Sequence, residues 1–334
     1  MALTIATSRG SAHAALLGIG GYRASRVVTN AEICENIDSS DEWIRTRSGI
    51  IERRWAEPHE TVLSMSVGAA RKAIERAGIA PAQLDCVIVA TVTHLMQTPA
   101  VATLVSDEVG ATPAAAFDIS AACAGFCHGV SLAADMVRGG SAKHVLVVGV
   151  ERLSDITDHY DRATAFLFAD GAGAAVIGPS ESEGIGPVAW GADGSKFDLI
   201  RQKESWTEVL ALDEPTMPNL RMDGNPVFRW ASFEMAKVAR EALSRADVSV
   251  DDLDVFLPHQ ANMRIIDAMA RTLKLPEHVE IARDIAHQGN TSAASVPLAA
   301  EAMLESGQAK SGDLALMIAF GAGLAYAAQV VRLP

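Results

Sequence analysis

Arg71-Lys72-Ala73-Ile74-Glu75-Arg76-Ala77-Gly78-Ile79, followed by Leu84-Asp85-Cys86-Val87-Ile88, is met a second time as Arg240-Glu241-Ala242-Leu243-Ser244-Arg245-Ala246-Asp247-Val248, followed by Leu253-Asp254-Val255-Phe256-Leu257. Each copy reads as a helix, a short polar loop and a buried strand at one internal spacing. Phe168-Ala169-Asp170-Gly171-Ala172-Gly173-Ala174 and Ile318-Ala319-Phe320-Gly321-Ala322-Gly323-Leu324 form a second pair, each flanked by apolar strand. Two alignable stretches per half predict an internal duplication. Helix and strand alternate in both halves, which predicts mainly parallel sheets covered by helices. The expected division is a lead-in over 1–14, a first α/β half over 15–180 and a second over 181–334.

A chain of 334 residues exceeds the usual single core, in keeping with two units. Almost half of it is apolar (49%), ample for burial, and the formal net charge of −13 argues against a general nucleic-acid or membrane binder, which needs a basic field. Four scattered cysteines are too few for a disulfide framework and favour a reducing cytoplasm. Cys123, Cys127 and His128 lie close together, but no fourth ligand at zinc spacing accompanies them, so no metal is expected. The N-terminus lacks the pattern of an export signal, and Arg9 to Ser11 reads as a frayed lead-in. Leu314 to Val331, the longest uncharged stretch, carries Gly321 and Gly323 and reads as two strands around a turn rather than a membrane span.

Thr29 with Glu32, and Ser39 with Glu42, have capping-box spacing and predict two helix starts before Trp43. Val145 to Val150 is a continuous apolar run and predicts a buried strand, whereas Asp193 to Asn225 has little period and predicts a surface excursion. Phe117-Asp118-Ile119-Ser120-Ala121-Ala122-Cys123-Ala124-Gly125-Phe126 reads as a strand, a tight turn and a helix, with one thiol at the joint. Phe126, Val130, Ala134 and Val137 give that helix its period, and Gly139-Gly140 ends it. Unpaired N–H groups at a helix start lower a thiol's pKa, so Cys123 is expected to be a reactive nucleophile with room around it left by Ala121, Ala122 and Ala124. The other reading is a small buried hydrophobe.

Two more segments place polar residues after an apolar strand or a glycine turn. Val255-Phe256-Leu257 runs into Pro258-His259-Gln260-Ala261-Asn262, and in the duplicated scheme His259 is the counterpart of Ala90. Gly289-Asn290-Thr291-Ser292-Ala293-Ala294-Ser295 places Asn290 at a turn before a helix starting around Ser292. Each alone reads as an ordinary turn; the set carries the weight.

With these segments in view, the chain resembles the β-ketoacyl-acyl-carrier-protein synthase III family, from about Ala15 to Leu333. The resemblance rests on Asp41 to Ile50, the Ser120 to Phe126 turn, Asp170-Gly171-Ala172-Gly173, Pro258 to Asn262, Gly289 to Ser295 and Phe320 to Leu324. It implies a thiolase-like fold of two duplicated α/β halves in a layered αβαβα core. It further implies an acyltransferase that condenses an acyl-CoA primer with malonyl-acyl carrier protein, with loss of CO₂, to initiate fatty-acid synthesis, and that needs no cofactor. Cys123 would carry the acyl group, and neutral His259 and Asn290 would donate to the malonyl thioester oxygen. Backbone N–H groups of Cys123 and Ala322 would form the oxyanion hole. For coenzyme A the resemblance implies Trp43, Arg47, Arg162, Gly224 and Asn262, and for carrier-protein docking Arg229 and Arg264. The resemblance also implies a homodimer; Thr98 matches the position at which a bulky aromatic of the partner subunit closes the acyl pocket in acetyl-using relatives, and its smaller size implies a primer branched or longer than acetyl. No nucleic acid or membrane partner is implied.

Competing readings are a starter-unit ketosynthase of a polyketide pathway, a cysteine acyl hydrolase or acyltransferase using Cys123 with His259 as base, and a non-catalytic acyl-CoA-binding module. A degradative thiolase would carry a second cysteine in the Phe320–Leu324 turn, and a chalcone-synthase type a proline; this turn has neither.

Overall fold

In the computed structural model of the protein, which describes residues 5–334, two five-stranded sheets enclose a layer of helices. The first sheet runs in the order Ala14–Arg23, Asp170–Pro179, Val145–Arg152, Cys86–Ala90, Ala115–Ile119. The second runs Glu280–Ile281, Val255–Pro258, Leu314–Gly321, Ala325–Arg332, Ala189–Ala192. The inner strands are continuous apolar runs because both of their faces are covered.

Helices Gly125–Gly139 and Ser295–Ser306 fill the space between the sheets. One core cluster joins Ile88 and Val147 of the first sheet, Phe126 and Val130 of one central helix, Val296 and Met303 of the other, and Leu257 and Met317 of the second sheet. Outside, Val62–Arg76 and Val101–Val109 set Met65, Ala69 and Val105 against Val87, Leu146 and Val148. On the far side Gly224–Arg245 and Met263–Leu273 set Met235, Ala239 and Met269 against Phe256, Leu316 and Ile318. The result is an αβαβα stack, the thiolase-like architecture.

Four local expectations need correction. Each sheet is evenly mixed, with two parallel and two antiparallel contacts, rather than mainly parallel. The cause in the second sheet is the tight Ala322–Leu324 turn, too short for the crossover a parallel pair requires. The first pair of alignable stretches occupies matching helix and strand positions, but the second pair does not: Gly171 and Gly173 lie within a strand, whereas Gly321 to Gly323 leave one for a turn. The helix before Trp43 is capped by Ser40, not Ser39. Residues 1–4 of the expected lead-in lie outside the described residues, and the rest is tied down, with Ser11 N–H donating to Val137 O at 3.1 Å and Ser8 Oγ to Gly139 O at 2.6 Å.

The two halves are also joined electrostatically. Glu301, buried on the second central helix, accepts from Gly21 N at 2.6 Å and pairs with Arg23 at 2.8 Å and Arg76 at 3.2 Å, all from the first half. Removing the carboxylate leaves the Gly21 amide and the arginines uncompensated, so Glu301→Ala should destabilise the fold by about 3 kcal/mol. Chemical denaturation reads this as a lower midpoint; an unchanged midpoint would show that the network contributes nothing net.

Candidate active site

Strand Ala115–Ile119 delivers the chain to a one-turn 3₁₀ helix, Ala122–Ala124, that leads into the central helix at Gly125. Ala122 has φ of 45°, a left-handed conformation uncommon for alanine, and this twist sets Cys123 at the joint. In the second half Ser292 has φ of 49° in an equivalent turn, Ser292–Ala294, before helix Ser295–Ser306. Gly321 closes on the cysteine so tightly that a Cβ there would lie 2.7 Å from Cys123 N and 3.1 Å from Sγ, which only glycine avoids.

Cys123, His259 and Asn290 line one cavity of about 390 Å³, with Phe320 and Gly321 on its wall. His259 follows strand Val255–Pro258 and is fully enclosed. Its Nδ1 is 2.6 Å from Ser295 Oγ, which already accepts from Gln260 N–H at 3.4 Å. With the Ser295 hydroxyl hydrogen donated to Nδ1, the ring proton sits on Nε2. Burial drives the His259 pKa down to about 3, so the ring is neutral across physiological pH. Asn290 is clamped by its backbone, with N donating to Leu167 O and O accepting from Ala169 N, both at 2.9 Å. Its Oδ1 accepts from Ser292 N–H at 2.9 Å; an N–H can only donate, so the amide orientation is fixed and Nδ2–H₂ remains free.

The thiol departs from its expectation. Burial pushes Cys123 up to about 11, eased by the adjacent Ser292 hydroxyl and raised further by the nearby Glu151.

Trp43, Arg47, Gly224, Asn262 and Arg264 line the same cavity as Cys123, His259 and Asn290. The Arg162 guanidinium lies 4.8 Å from the Trp43 ring centroid and that of Arg47 5.7 Å, so the pair must part to admit a flat base. Asn262 caps helix Met263–Leu273 and donates from Nδ2 to Arg47 O at 3.0 Å, tying the two cavity walls together. Arg264 lies over Phe228, and Arg229 is exposed on helix Gly224–Arg245. Ala322 lines a neighbouring cavity of about 880 Å³ together with Ala121, Ala122, His128, Trp190, Phe197 and Ile200. Thr98 is exposed and lines neither cavity of its own chain.

Sequence reasoning missed three contributors. Ser295 and Ser292 were inside a quoted motif, yet their role shows only once the helix start brings them against His259 and Cys123. Glu151 ends the apolar run of strand Val145–Arg152, where a lone carboxylate after six buried residues was the available signal.

Two family models match the chain: "3-Oxoacyl-[acyl-carrier-protein (ACP)] synthase III" over residues 117–194, and its C-terminal counterpart over 243–333. The β-ketoacyl-[acyl-carrier-protein] synthase III of Streptomyces glaucescens is 59% identical across 99% of both chains, and the mycobacterial enzyme of that name from Mycolicibacterium paratuberculosis is 53% identical, covering 99% of this chain and 98% of its own. Among solved structures, the priming β-ketosynthase of the R1128 polyketide biosynthetic pathway superposes with a TM-score of 0.96 at 49% identity, covering 100% of this chain and 99% of that one. The 3-oxoacyl-[acyl-carrier-protein] synthase III of Aquifex aeolicus gives 0.88 at 40% identity, covering 96% and 99%. Fold and relatives together define a condensing enzyme of the acyltransferase type. The chain belongs to the β-ketoacyl-[acyl-carrier-protein] synthase III family. No helix among the described residues is long and apolar enough to cross a membrane, and no group of three or more potential metal ligands occurs among them.

The His259 assignment is open to direct measurement. Nitrogen-15 NMR should find Nε2 protonated and Nδ1 bare, unchanged from pH 8 to pH 5, because its folded pKa is about 3. An unfolded histidine takes up a proton near ~6.5, so this site's contribution to stability is intact above that pH and is lost as the pH falls toward 3. A titration midpoint near the ordinary histidine value would refute both statements.

Proposed function

We propose that the protein condenses an acyl-CoA primer with malonyl-acyl carrier protein, releasing CO₂ and giving a β-ketoacyl-acyl carrier protein that initiates fatty-acid synthesis. One observation carries the site assignment: Ser292 N–H occupies Asn290 Oδ1 and Ser295 occupies His259 Nδ1, so both residues present N–H groups to the cavity of Cys123. The Cys123 thiolate attacks the primer thioester, and the carbon–sulfur bond to coenzyme A breaks as the new one is completed. Backbone N–H groups of Cys123 and Ala322 hold the oxyanion. Malonyl-acyl carrier protein then binds and loses CO₂, which itself generates the carbon nucleophile, so no general base is needed. His259 Nε2–H and Asn290 Nδ2–H stabilise the enolate oxygen, and attack on the acyl-cysteine returns the sulfur.

Trp43, Arg162 and Arg47 suit the nucleotide end of coenzyme A, while Gly224 and Asn262 suit its pantetheine arm. Arg229 and Arg264 form the local basic rim that an acidic carrier protein requires on a chain of net charge −13. A homodimer is supported by the open edge strand Ala115–Ile119, which exposes Phe117, and by Leu95 and Met96 exposed on the loop leading to Thr98. In that arrangement Thr98 of the partner subunit would close the acyl chamber. Four unpaired cysteines suit a reducing cytoplasm.

A second reading, the priming ketosynthase of a polyketide pathway, is favoured by the superposition on the R1128 enzyme. Comparing fatty-acid and polyketide carrier proteins as malonyl donors distinguishes the two.

Asn290→Asp and His259→Ala should each lower condensation by about a hundredfold or more, the cost of one lost donor, while intact-mass analysis still finds acylated Cys123. Wild-type condensation rates in these variants would refute the roles assigned. Across a series of acyl-CoAs, the open pocket of about 880 Å³ beside the Cys123 turn, with the small Thr98 at its expected closing position, predicts turnover of branched and medium-length primers at least as fast as acetyl. Strict acetyl preference would show that the chamber does not receive the primer.

A further inference from the structure

Glu151 is fully buried at the end of strand Val145–Arg152, beside Cys123, and the chemistry above gives it no role. Its Oε2 accepts from Thr93 Oγ1 at 2.7 Å, Val92 N at 3.1 Å and Thr91 Oγ1 at 3.3 Å. The Thr93 hydroxyl oxygen already accepts from Arg152 N at 2.9 Å, and Thr91 Oγ1 from Thr93 N at 3.1 Å, so both hydroxyl hydrogens are directed to the carboxylate. Oε1 faces Ser292 Oγ at 3.2 Å, and the Ser292 side chain lies close enough to the Cys123 sulfur to favour its thiolate. A continuous line of exchangeable hydrogens therefore joins the sulfur to Oε1.

We propose that Ser292 and Glu151 form a proton relay for Cys123. As the sulfur is deprotonated, its hydrogen passes to Ser292 Oγ while the hydrogen of Ser292 passes to Glu151 Oε1, giving a thiolate, an unchanged alcohol and a neutral carboxylic acid. The thiolate's electron pair forms the bond to the thioester carbon, the departing sulfur takes the pair of the broken bond, and the proton returns by the same route to the leaving thiolate. No proton is gained or lost in the exchange. Ser292 touches the reacting atom, and Glu151 acts through it. The inference rests on Cys123 being the nucleophile, but not on what the acyl-enzyme later condenses with.

Other candidates for the proton are poorer. His259, at about 3, is too weak a base, whereas burial lifts Glu151 to about 7 and the surrounding hydroxyls keep it from rising further. The groups facing Glu151 from the packed elements are Thr91, the Val92 amide, Thr93, Ser292 and the Cys123 thiol; its chain neighbour Arg152 turns away to Asp155 at 3.1 Å.

The test is the pH dependence of Cys123 alkylation by iodoacetamide, followed by mass spectrometry on the full chain, with no condensation required. In the wild type the rate should climb to about pH 7, where Glu151 ionises, and then level off, because thiolate paired with protonated Glu151 has the same proton count as the resting pair. In Glu151→Gln the levelling should vanish and the rate should climb without a break toward the thiol's own value of about 11, whereas Ser292→Ala should keep the break near pH 7; in both, alkylation at pH 7 should be at least about tenfold slower. Melting temperatures establish that each variant is folded, and Ser292→Ala decides the matter alone if Glu151→Gln is not. A wild-type rate at pH 7 in Ser292→Ala, or a break near pH 7 that persists in Glu151→Gln, would overturn the relay. Alkylation of Glu151→Gln that is faster than wild type already at pH 7 would overturn it too, because a carboxylate acting only as a neighbouring charge raises the thiol pKa and its removal frees the thiolate.

Discussion

The active centre depends on how closely backbone approaches backbone between the two sheets. Strand Val145–Arg152 passes over the Ser292–Ala294 turn so tightly that a Cβ on Gly149 would lie 2.3 Å from Ala293 O. One methyl group there would push the Asn290 turn away from the cysteine turn, and no side-chain rotation could restore it, because the obstacle is main chain. Gly321 imposes the same condition from the second sheet against Cys123. Groups distant in sequence meet around one sulfur because glycine and alanine let three pieces of backbone occupy a space that ordinary side chains would fill.

That closeness also buries the ionisable groups, and burial orders their titrations. Cys123 is driven up, His259 down and Glu151 up, each toward its neutral form. A site held neutral at rest presents N–H dipoles rather than ions to whatever binds. Such dipoles gain most when charge develops beside them in a medium of low dielectric, as on the oxygen of an enolate or a tetrahedral intermediate. The same environment disfavours the bare thiolate, and this is the cost that the relay proposed through Ser292 and Glu151 would relieve.

The architecture was legible in sequence because it rests on periodicity and repetition: the Arg71–Ile88 and Arg240–Leu257 copies occupy matching positions in the two halves. Strand direction was less legible, since apolar runs look alike whether the following connection is a crossover helix or the three-residue turn at Ala322. For the same reason Gly171 and Gly321 were paired by composition although one lies in a strand and the other meets a turn. Cys123, His259 and Asn290 stood out as polar groups ending apolar segments. Ser295, Ser292 and Glu151 did not, because a serine in a helix start reads as a cap and a carboxylate after a strand reads as surface; their roles are properties of distance.

The duplication also explains why a twofold scaffold houses one centre. His259 and Ser295 touch in the second half, and their counterparts in the first are Ala90 and Gly125. A Cβ on Gly125 would lie 2.8 Å from the Ala90 Cβ and 3.8 Å from that of Ala293, the counterpart of Cys123. The mirror-image position is therefore closed by contact: a histidine at 90 would need the volume that Gly125 and Ala293 already occupy. Filling one of two related sites with methyl groups lets the central helices pack closely enough for the other to exist. Chemistry on one side of the pseudo-symmetry axis and close packing on the other are thus two consequences of the same helix separation.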